Sequence, residues 1–81
     1  MSEQLSKYNR VFIEVFGILE GQLNSSLTYQ SIDSWDSVGH MELIAKLESA
    51  FEIMIEMDDV IDFNSYEYGM KILNKYGIKL L

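Results

Sequence analysis

Apolar residues recur at intervals of three and four along most of this chain, the spacing that places side chains on one face of an α-helix. The first such segment runs from Ser2 to Glu20. Ser2 is the expected N-terminal cap and Gly21 the expected end, because glycine adopts the left-handed conformation after a last turn without steric cost. Gly17 is a weak point inside the segment. The apolar face of this predicted helix consists of Leu5, Tyr8, Phe12, Val15, Phe16 and Leu19.

The same spacing returns from Asp36 to Glu52, where Asp36 is a favourable cap for a second helix. Residues 53–56 form an apolar link, and the stretch from Met57 to Phe63 is expected to form a short third helix. The repeating positions of the second helix are Val38, Met41, Ile44 or Ala45, Leu47 or Glu48, and Phe51.

A last helix is indicated by Asn64 and Glu67, which have the spacing of a capping pair. It is expected to run to about Tyr76 and to stop at Gly77. Between the first two helices, Gln22 to Trp35 is mostly polar and is expected to be a long loop held in place by its own apolar residues. With no alternating stretch and no proline, the predicted fold class is all-α. We expect a small four-helix bundle of three longer helices and one short helix, in a single domain over residues 1–81.

The excess of acidic over basic residues limits the kinds of partner that the chain is expected to bind. Six Lys and Arg against 13 Asp and Glu give a formal net charge of -7, which opposes binding to nucleic acid. The chain has no Cys, so disulfides, thiolate nucleophiles and cysteine-based metal sites are excluded. The N-terminal sequence MSEQLSKYNR lacks the order of a signal peptide, and no apolar run approaches the roughly 20 residues of a membrane span. A cytoplasmic protein is expected.

Carboxylates are concentrated in residues 37–63, which carry seven of them against Lys46 alone, a balance of -6. A calcium-binding loop is not predicted, because a count from Asp58 or Asp62 finds no glycine at the sixth place, and no metal site is expected. The asymmetry favours docking of basic partners, although most charge runs are simply solvated faces. The seven residues are Glu42, Glu48, Glu52, Glu56, Asp58, Asp59 and Asp62.

Four methionines fall in the region between the second and last helices. Ordinary core filling is the favoured interpretation, and a deformable apolar space that opens for a guest chain is the alternative. The four are Met41, Met54, Met57 and Met70.

Ser37 follows the expected cap Asp36, so its hydroxyl lies at the positive end of the helix dipole beside unpaired backbone N–H groups. A phosphoester is permitted there, although a serine near a helix start is more often part of the cap. A hydrolytic triad with His40 is not expected, because three groups within one helical turn cannot surround a substrate. Trp35 also replaces the first glycine of a nucleophile elbow. His40 is expected on the exposed side of the second helix.

Residues 34–48, Ser-Trp-Asp-Ser-Val-Gly-His-Met-Glu-Leu-Ile-Ala-Lys-Leu-Glu, resemble the second helix of the acyl carrier protein family, which includes peptidyl carrier domains. The resemblance rests on Asp-Ser-aliphatic at residues 36–38 and Glu-Leu-aliphatic at residues 42–44, followed by Leu-Glu and Phe-Glu pairs. Small size, acidic balance, a long first loop and a short acidic helix extend it over nearly the whole chain.

The resemblance implies that a phosphopantetheinyl transferase attaches 4'-phosphopantetheine from coenzyme A to Ser37, next to Asp36. An acyl or aminoacyl group would then be carried as a thioester on the thiol of this arm, loaded by a ligase and passed to an acyltransferase or synthase. The chain would be a carrier and not an enzyme. The transferase would dock on the second helix through apolar contacts and ionic contacts, made by Val38, Met41, Glu42 and Glu48.

The chain departs from typical fatty-acid carriers at residues 34–35, at Val38 and at residues 39–40, which favours a specialised pathway. Polysaccharide modification, aminoacyl transfer and secondary-metabolite assembly are the expected kinds, and fatty-acid synthesis is less favoured. The alternative function is an unmodified acidic helical adaptor for a basic protein, and a small catalyst using Ser37 and His40 is the least favoured. A monomer is expected, because the predicted bundle leaves no second apolar patch.

Overall fold

Four α-helices and a short 3-10 helix make up the regular structure in the computed structural model, which describes residues 3–80. Within these residues there is no strand, and the all-α fold class with three longer helices and one short helix is confirmed. No helix in this range is both long and apolar enough to cross a membrane. The elements are α1 (Glu3–Phe16), the 3-10 helix (Glu20–Gln22), α2 (Ser37–Phe51), α3 (Met57–Asp62) and α4 (Tyr66–Lys75).

The first helix ends at Phe16, so the predicted end at Gly21 was wrong. Gly17 has a φ of +65°, the left-handed conformation that ends a helix, and its amide donates to the Ile13 carbonyl at 2.8 Å. As a result Leu19 leaves the apolar face and is 76% exposed. The expected cap of this helix, Ser2, lies outside the described residues.

The core is organised around Phe12, a fully buried residue of α1. Its ring lies 4.9–6.3 Å from five other aromatic rings, contributed by α1, the first loop and the segment from α3 to α4. Each such pair adds about 0.5–1.5 kcal/mol beyond the burial of its apolar area. The cluster therefore joins α1, the first loop and the turn between α3 and α4, and α2 closes the core with Leu43, Ile44 and Leu47. The five rings belong to Tyr8, Phe16, Trp35, Phe63 and Tyr66.

The last helix begins one residue later than predicted. Its cap is Ser65, whose Oγ accepts a hydrogen bond from the Tyr68 amide at 2.9 Å, and Asn64 is not the capping residue. The helix ends at Lys75, and Gly77 follows with a φ of +85°, which confirms the predicted stop. The short third helix ends at Asp62, one residue before the predicted Phe63.

Gly69 allows α4 to lie close to α1. A Cβ at this position would collide with the Phe63 ring and the Tyr8 hydroxyl. Tyr8 also donates from its hydroxyl to the Tyr66 carbonyl at 2.7 Å, and burial raises the pKa of Tyr8 well above its usual value. A buried and satisfied phenol thus fixes the start of α4 on α1.

Residues 23–36 connect the 3-10 helix to α2 and are fastened to the turn between α3 and α4. The Tyr29 amide donates to the Asn64 carbonyl and the Tyr66 amide donates to the Leu27 carbonyl, both at 2.9 Å. Leu27 and Trp35 are buried in the core. The path of this connection toward α2 is therefore fixed at both its middle and its end.

Candidate functional site

The first turn of α2 is capped by Asp36, as the sequence predicted. Its backbone is extended, and its Oδ1 accepts a hydrogen bond from the Gly39 amide at 2.8 Å. Its carbonyl accepts from the His40 amide at 2.7 Å. Since that bond is the first of the helical ladder, the amides of Ser37 and Val38 have no partner within the helix.

Ser37 is the first residue of α2 and is exposed. The cap is supplied by its neighbour, so the Ser37 hydroxyl is not needed to start the helix. It lies where the partial positive charge of the helix dipole is greatest. The hydroxyl is therefore accessible to a docking protein and is next to amides that can donate to an anion.

The position of this turn is set by contact with Ser34 and α1. A Cβ on Gly39 would collide with the Ser34 carbonyl, so the helix start approaches the preceding loop more closely than any side chain allows. The Ser34 hydroxyl in turn donates to the carbonyl of Phe16 at 3.1 Å. These contacts hold the start of α2 against the end of α1.

The residues beside Ser37 present an apolar and acidic surface. Val38 is 66% exposed and Met41 is 52% exposed, and Glu42 is exposed on the next turn. Of the repeating apolar positions of α2, Val38 and Met41 are thus on the surface, whereas the buried positions are Gly39, Leu43, Ile44, Leu47 and Phe51.

Glu48, the other predicted docking acid, is half-buried and has a structural contact. Its Oε2 accepts a hydrogen bond from the Ile55 amide at 2.9 Å. This bond connects α2 to the link that leads into α3. Glu48 is therefore engaged in holding that link, whereas Glu42 is on the open surface.

Core filling was the wrong interpretation for three of the four methionines. Met54 is 84% exposed, Met57 is 67% exposed and Met41 is 52% exposed. Met70 is half-buried and lines an open cavity of about 600 Å³ beside α4. Ile61, one turn after Met57 on α3, is 69% exposed. The second and third helices thus present more apolar side chain than the sequence pattern predicted.

We define the α2–α3 surface as the exposed apolar and acidic residues of these two helices, which adjoin where His40 Nε2 lies 2.8 Å from the Val60 carbonyl oxygen. Exposed large apolar side chains accompanied by charged ones are typical of surfaces that bind other proteins. The members of the α2–α3 surface are Val38, Met41, Glu42, Met57, Asp58, Ile61 and Asp62.

Asp59 is not part of this surface, although the sequence places it in the acidic run. It is buried, and its carboxylate accepts hydrogen bonds from Lys75 and from the Tyr76 hydroxyl, each at 2.6 Å. These bonds, that from Lys75 foremost, lower the pKa of Asp59. The same Tyr76 hydroxyl accepts from the Glu56 amide at 2.9 Å, so the start of α3 is fixed to the end of α4.

His40 is half-buried, contrary to its expected place on the exposed side of α2. The Trp35 Nε1 donates to His40 Nδ1 at 3.0 Å, and His40 Nε2 lies 2.8 Å from the Val60 carbonyl oxygen. Both ring nitrogens are thus occupied by groups other than Ser37. The one signal in the sequence was Trp35 itself, because a buried indole N–H requires an acceptor nearby.

Among residues 3–80, no group of three or more His, Asp or Glu side chains is arranged to hold a metal ion. No protein-family model, no curated protein and no solved structure matches this chain. Its class therefore has to be argued from the geometry of its own residues.

A phosphodiester fits the start of α2. Ser37 is exposed, the amides of Ser37 and Val38 have no partner within the helix, and the Asp36 carboxylate is directed to the Gly39 amide. The attraction of the helix dipole for the anion is worth roughly 0.3–1 kcal/mol, and the negative charge of Asp36 acts against it. The start of α2 therefore offers backbone donors to an anionic group but does not by itself select one.

Proposed function

We propose that this chain is a carrier protein of the acyl carrier type, with a 4'-phosphopantetheine arm attached to Ser37. The arm would hold an acyl or aminoacyl group as a thioester and present it to successive enzymes. The observation that carries the proposal is an exposed serine hydroxyl directly after the cap of a helix, bordered by the α2–α3 surface.

The attachment would be made by a phosphopantetheinyl transferase with coenzyme A as the donor. The Ser37 oxygen forms a bond to the β-phosphorus, the pyrophosphate bond of coenzyme A breaks, and adenosine 3',5'-bisphosphate leaves. The hydroxyl proton passes to a base of the transferase. Ser37 is a point of attachment here, and Asp36 acts only by starting the helix that presents it.

Selection of Ser37 would come from docking of partner enzymes. Val38 and Met41 offer apolar contacts within one turn of Ser37, and Glu42 offers a carboxylate to basic groups. The loading ligase and the acyltransferase or synthase would use the same surface, because each must reach the end of an arm that starts there. Because all of these enzymes would use the same surface around Ser37, they would bind the carrier one at a time.

We propose that the carrier serves a specialised pathway and that its cargo is an acyl or aminoacyl thioester. We also propose that the carrier is a cytoplasmic monomer.

The alternative function is an unmodified adaptor that binds a basic protein through the α2–α3 surface, and the same exposed acids and methionines support it.

The deciding experiment is incubation of the chain with coenzyme A and a broad-specificity phosphopantetheinyl transferase, followed by intact-mass measurement. We expect one arm on the wild-type chain and none on Ser37→Ala. Ser49→Ala is the matched control, because Ser49 is also exposed on α2 but lies at its far end. An arm on Ser37→Ala, or an unmodified wild-type chain, would reject the carrier proposal and leave the adaptor.

A further inference from the structure

His40 connects three parts of the chain through its two ring nitrogens. It belongs to α2, Trp35 belongs to the connection that precedes α2, and Val60 belongs to α3. We call the two contacts together, Trp35 Nε1 to His40 Nδ1 and His40 Nε2 to the Val60 oxygen, the His40 bridge. The distances are 3.0 and 2.8 Å.

The protonation state of the ring follows from its partners. An indole N–H only donates, so His40 Nδ1 accepts and carries no proton. The Val60 carbonyl only accepts, so His40 Nε2 carries the proton and donates it. The bridge therefore requires the neutral imidazole in a single tautomer, and the imidazolium ion, which has a proton on both nitrogens, cannot form it.

We propose that the His40 bridge is a pH-sensitive connection, in which protonation of Nδ1 releases the Trp35 indole and loosens the contact of α2 with the first connection, while Nε2 still donates to the Val60 carbonyl of α3. Imidazole is the side chain that changes charge between about pH 5 and 8. Protonation places two N–H donors face to face and leaves the N–H of a fully buried indole without an acceptor.

The groups packed around the ring do not supply an obvious counter-ion. The first connection contributes the rings of Tyr29 and Trp35, and Phe63 beyond α3 contributes a third. Within residues 3–80, no Asp or Glu oxygen lies within 4.0 Å of either ring nitrogen. Tyr29 is the titratable side chain among these ring contacts.

The carboxylates nearby in sequence are already engaged or face solvent. Asp36, one turn earlier on α2, accepts from the Gly39 amide, and Asp59, next to Val60 on α3, is paired with Lys75. Asp58 and Asp62 of α3 are exposed. A proton on His40 thus breaks the hydrogen bond from the Trp35 indole without gaining a close ion pair.

The sign of the pH effect follows from linkage. If the folded chain requires neutral His40 and the unfolded chain does not, the unfolded state binds the additional proton at low pH. The stabilisation by the bridge is then complete at alkaline pH and is lost as the pH falls below the range in which an exposed imidazole titrates. The unfolding equilibrium constant rises by up to about tenfold for each further pH unit.

His40→Gln is the matched variant for an equilibrium test. A glutamine amide can accept from the indole and donate to the Val60 carbonyl, but it does not titrate. We would measure urea unfolding by circular dichroism for both chains between about pH 8 and 5. The wild type is expected to lose stability relative to His40→Gln across this range, since carboxylates titrate alike in both. Parallel stability profiles of the two chains would overturn the proposal.

A second measurement needs no variant, because the chain has one His and one Trp. Nitrogen NMR of the wild type at about pH 7.5 is expected to show an unprotonated Nδ1 and a protonated Nε2. On acidification, the Trp35 indole N–H signal should shift with the same midpoint as the His40 ring signals. A proton on Nδ1 at the higher pH, or an indole signal that ignores the titration of His40, would refute the proposal whether or not His40→Gln folds.

Discussion

Gly39 lies so close to the backbone carbonyl of Ser34 that a methyl group cannot fit between them. The contact brings the first turn of α2 against the preceding loop two residues after Ser37. Ser34 is itself hydrogen-bonded to the Phe16 carbonyl at the end of α1. The position of the first turn of α2, and with it that of Ser37, is thus held by one close backbone contact and one hydrogen bond from the Ser34 side chain.

Replacement of Gly39 by Ala should destabilise the chain. The obstacle is backbone, which cannot rotate away, so the cost is at the upper end of the range for overpacking, about 3 kcal/mol. This cost exceeds the stabilisation of about 1 kcal/mol that alanine gains over glycine through its higher helix propensity. Urea unfolding measures the difference. Gly21→Ala is the control, because a Cβ there meets nothing within 4 Å and it should change stability little. Equal effects of the two substitutions would contradict the close contact.

Replacement of Glu42 by Lys should slow arm transfer to Ser37 if partners dock on the α2–α3 surface. Loss of electrostatic steering predicts a rate lower by a few-fold to about tenfold at low salt. The difference should vanish near 1 M salt, where the Debye length is about 3 Å. Glu14→Lys makes the same charge change on an exposed position of α1 and is the control. A rate unaffected by Glu42→Lys at every salt concentration would exclude this residue from docking.

Replacement of Glu48 by Ala should weaken the fold more than it weakens docking. The substitution removes the hydrogen bond between the Glu48 carboxylate and the Ile55 amide. Because the carboxylate is charged and half-buried, we expect the free energy of unfolding to fall by about 1 kcal/mol. Glu42→Ala, on the open part of the same helix, should change the free energy of unfolding by less than about 0.5 kcal/mol. Chemical denaturation compares the two, and an equal loss would show that the Glu48 carboxylate does not hold the link to α3.

Replacement of Asp59 by Asn should lower stability at neutral pH and have a smaller effect in acid. Hydrogen bonds from Lys75 and Tyr76 lower the pKa of Asp59 in the folded chain. The stabilisation by its carboxylate is therefore complete above the unfolded-state pKa of about 3.9 and is lost as the pH falls through the lower folded-state value. Urea midpoints at neutral and strongly acidic pH test this.

Asp58→Asn is the control for this pH dependence, because Asp58 is the exposed neighbour on the same helix. It should shift the urea midpoint little at either pH. A difference between Asp59→Asn and the wild type that stays constant from neutral to acidic pH would show that the Lys75 and Tyr76 bonds do not depend on the ionised carboxylate.

The helices could be predicted because their signals are local. Apolar spacing of three and four located the first two helices, a capping pair indicated the last, and Asp36 and Gly77 marked a start and a stop through capping geometry that depends on a few neighbouring residues. The weak point at Gly17 proved to be the end of α1, since two glycines compete there and local sequence does not rank them. Asn64 and Ser65 are likewise both good caps, one residue apart.

The exposure of individual positions could not be predicted from spacing alone. Spacing does not determine how far a helix face is rotated toward the core, which is why core filling was the favoured interpretation for Met41 and Met57 although both are exposed. The contacts of Asp59 with Lys75 and of His40 with Val60 join residues 16 and 20 positions apart, and only the packing of α3 brings them together. The position of Ser37 at the start of α2 could be predicted without any long-range contact, because Ser37 directly follows its cap Asp36 in the sequence.

Trp35 has a practical consequence beyond its part in the core. It is the chain's one tryptophan, it is fully buried, and its ring lies against those of Phe16 and His40. Selectively excited fluorescence of the native protein therefore arises from a single indole two residues before Ser37. Emission and quenching at that junction would follow an encounter with another protein in real time, without an attached dye.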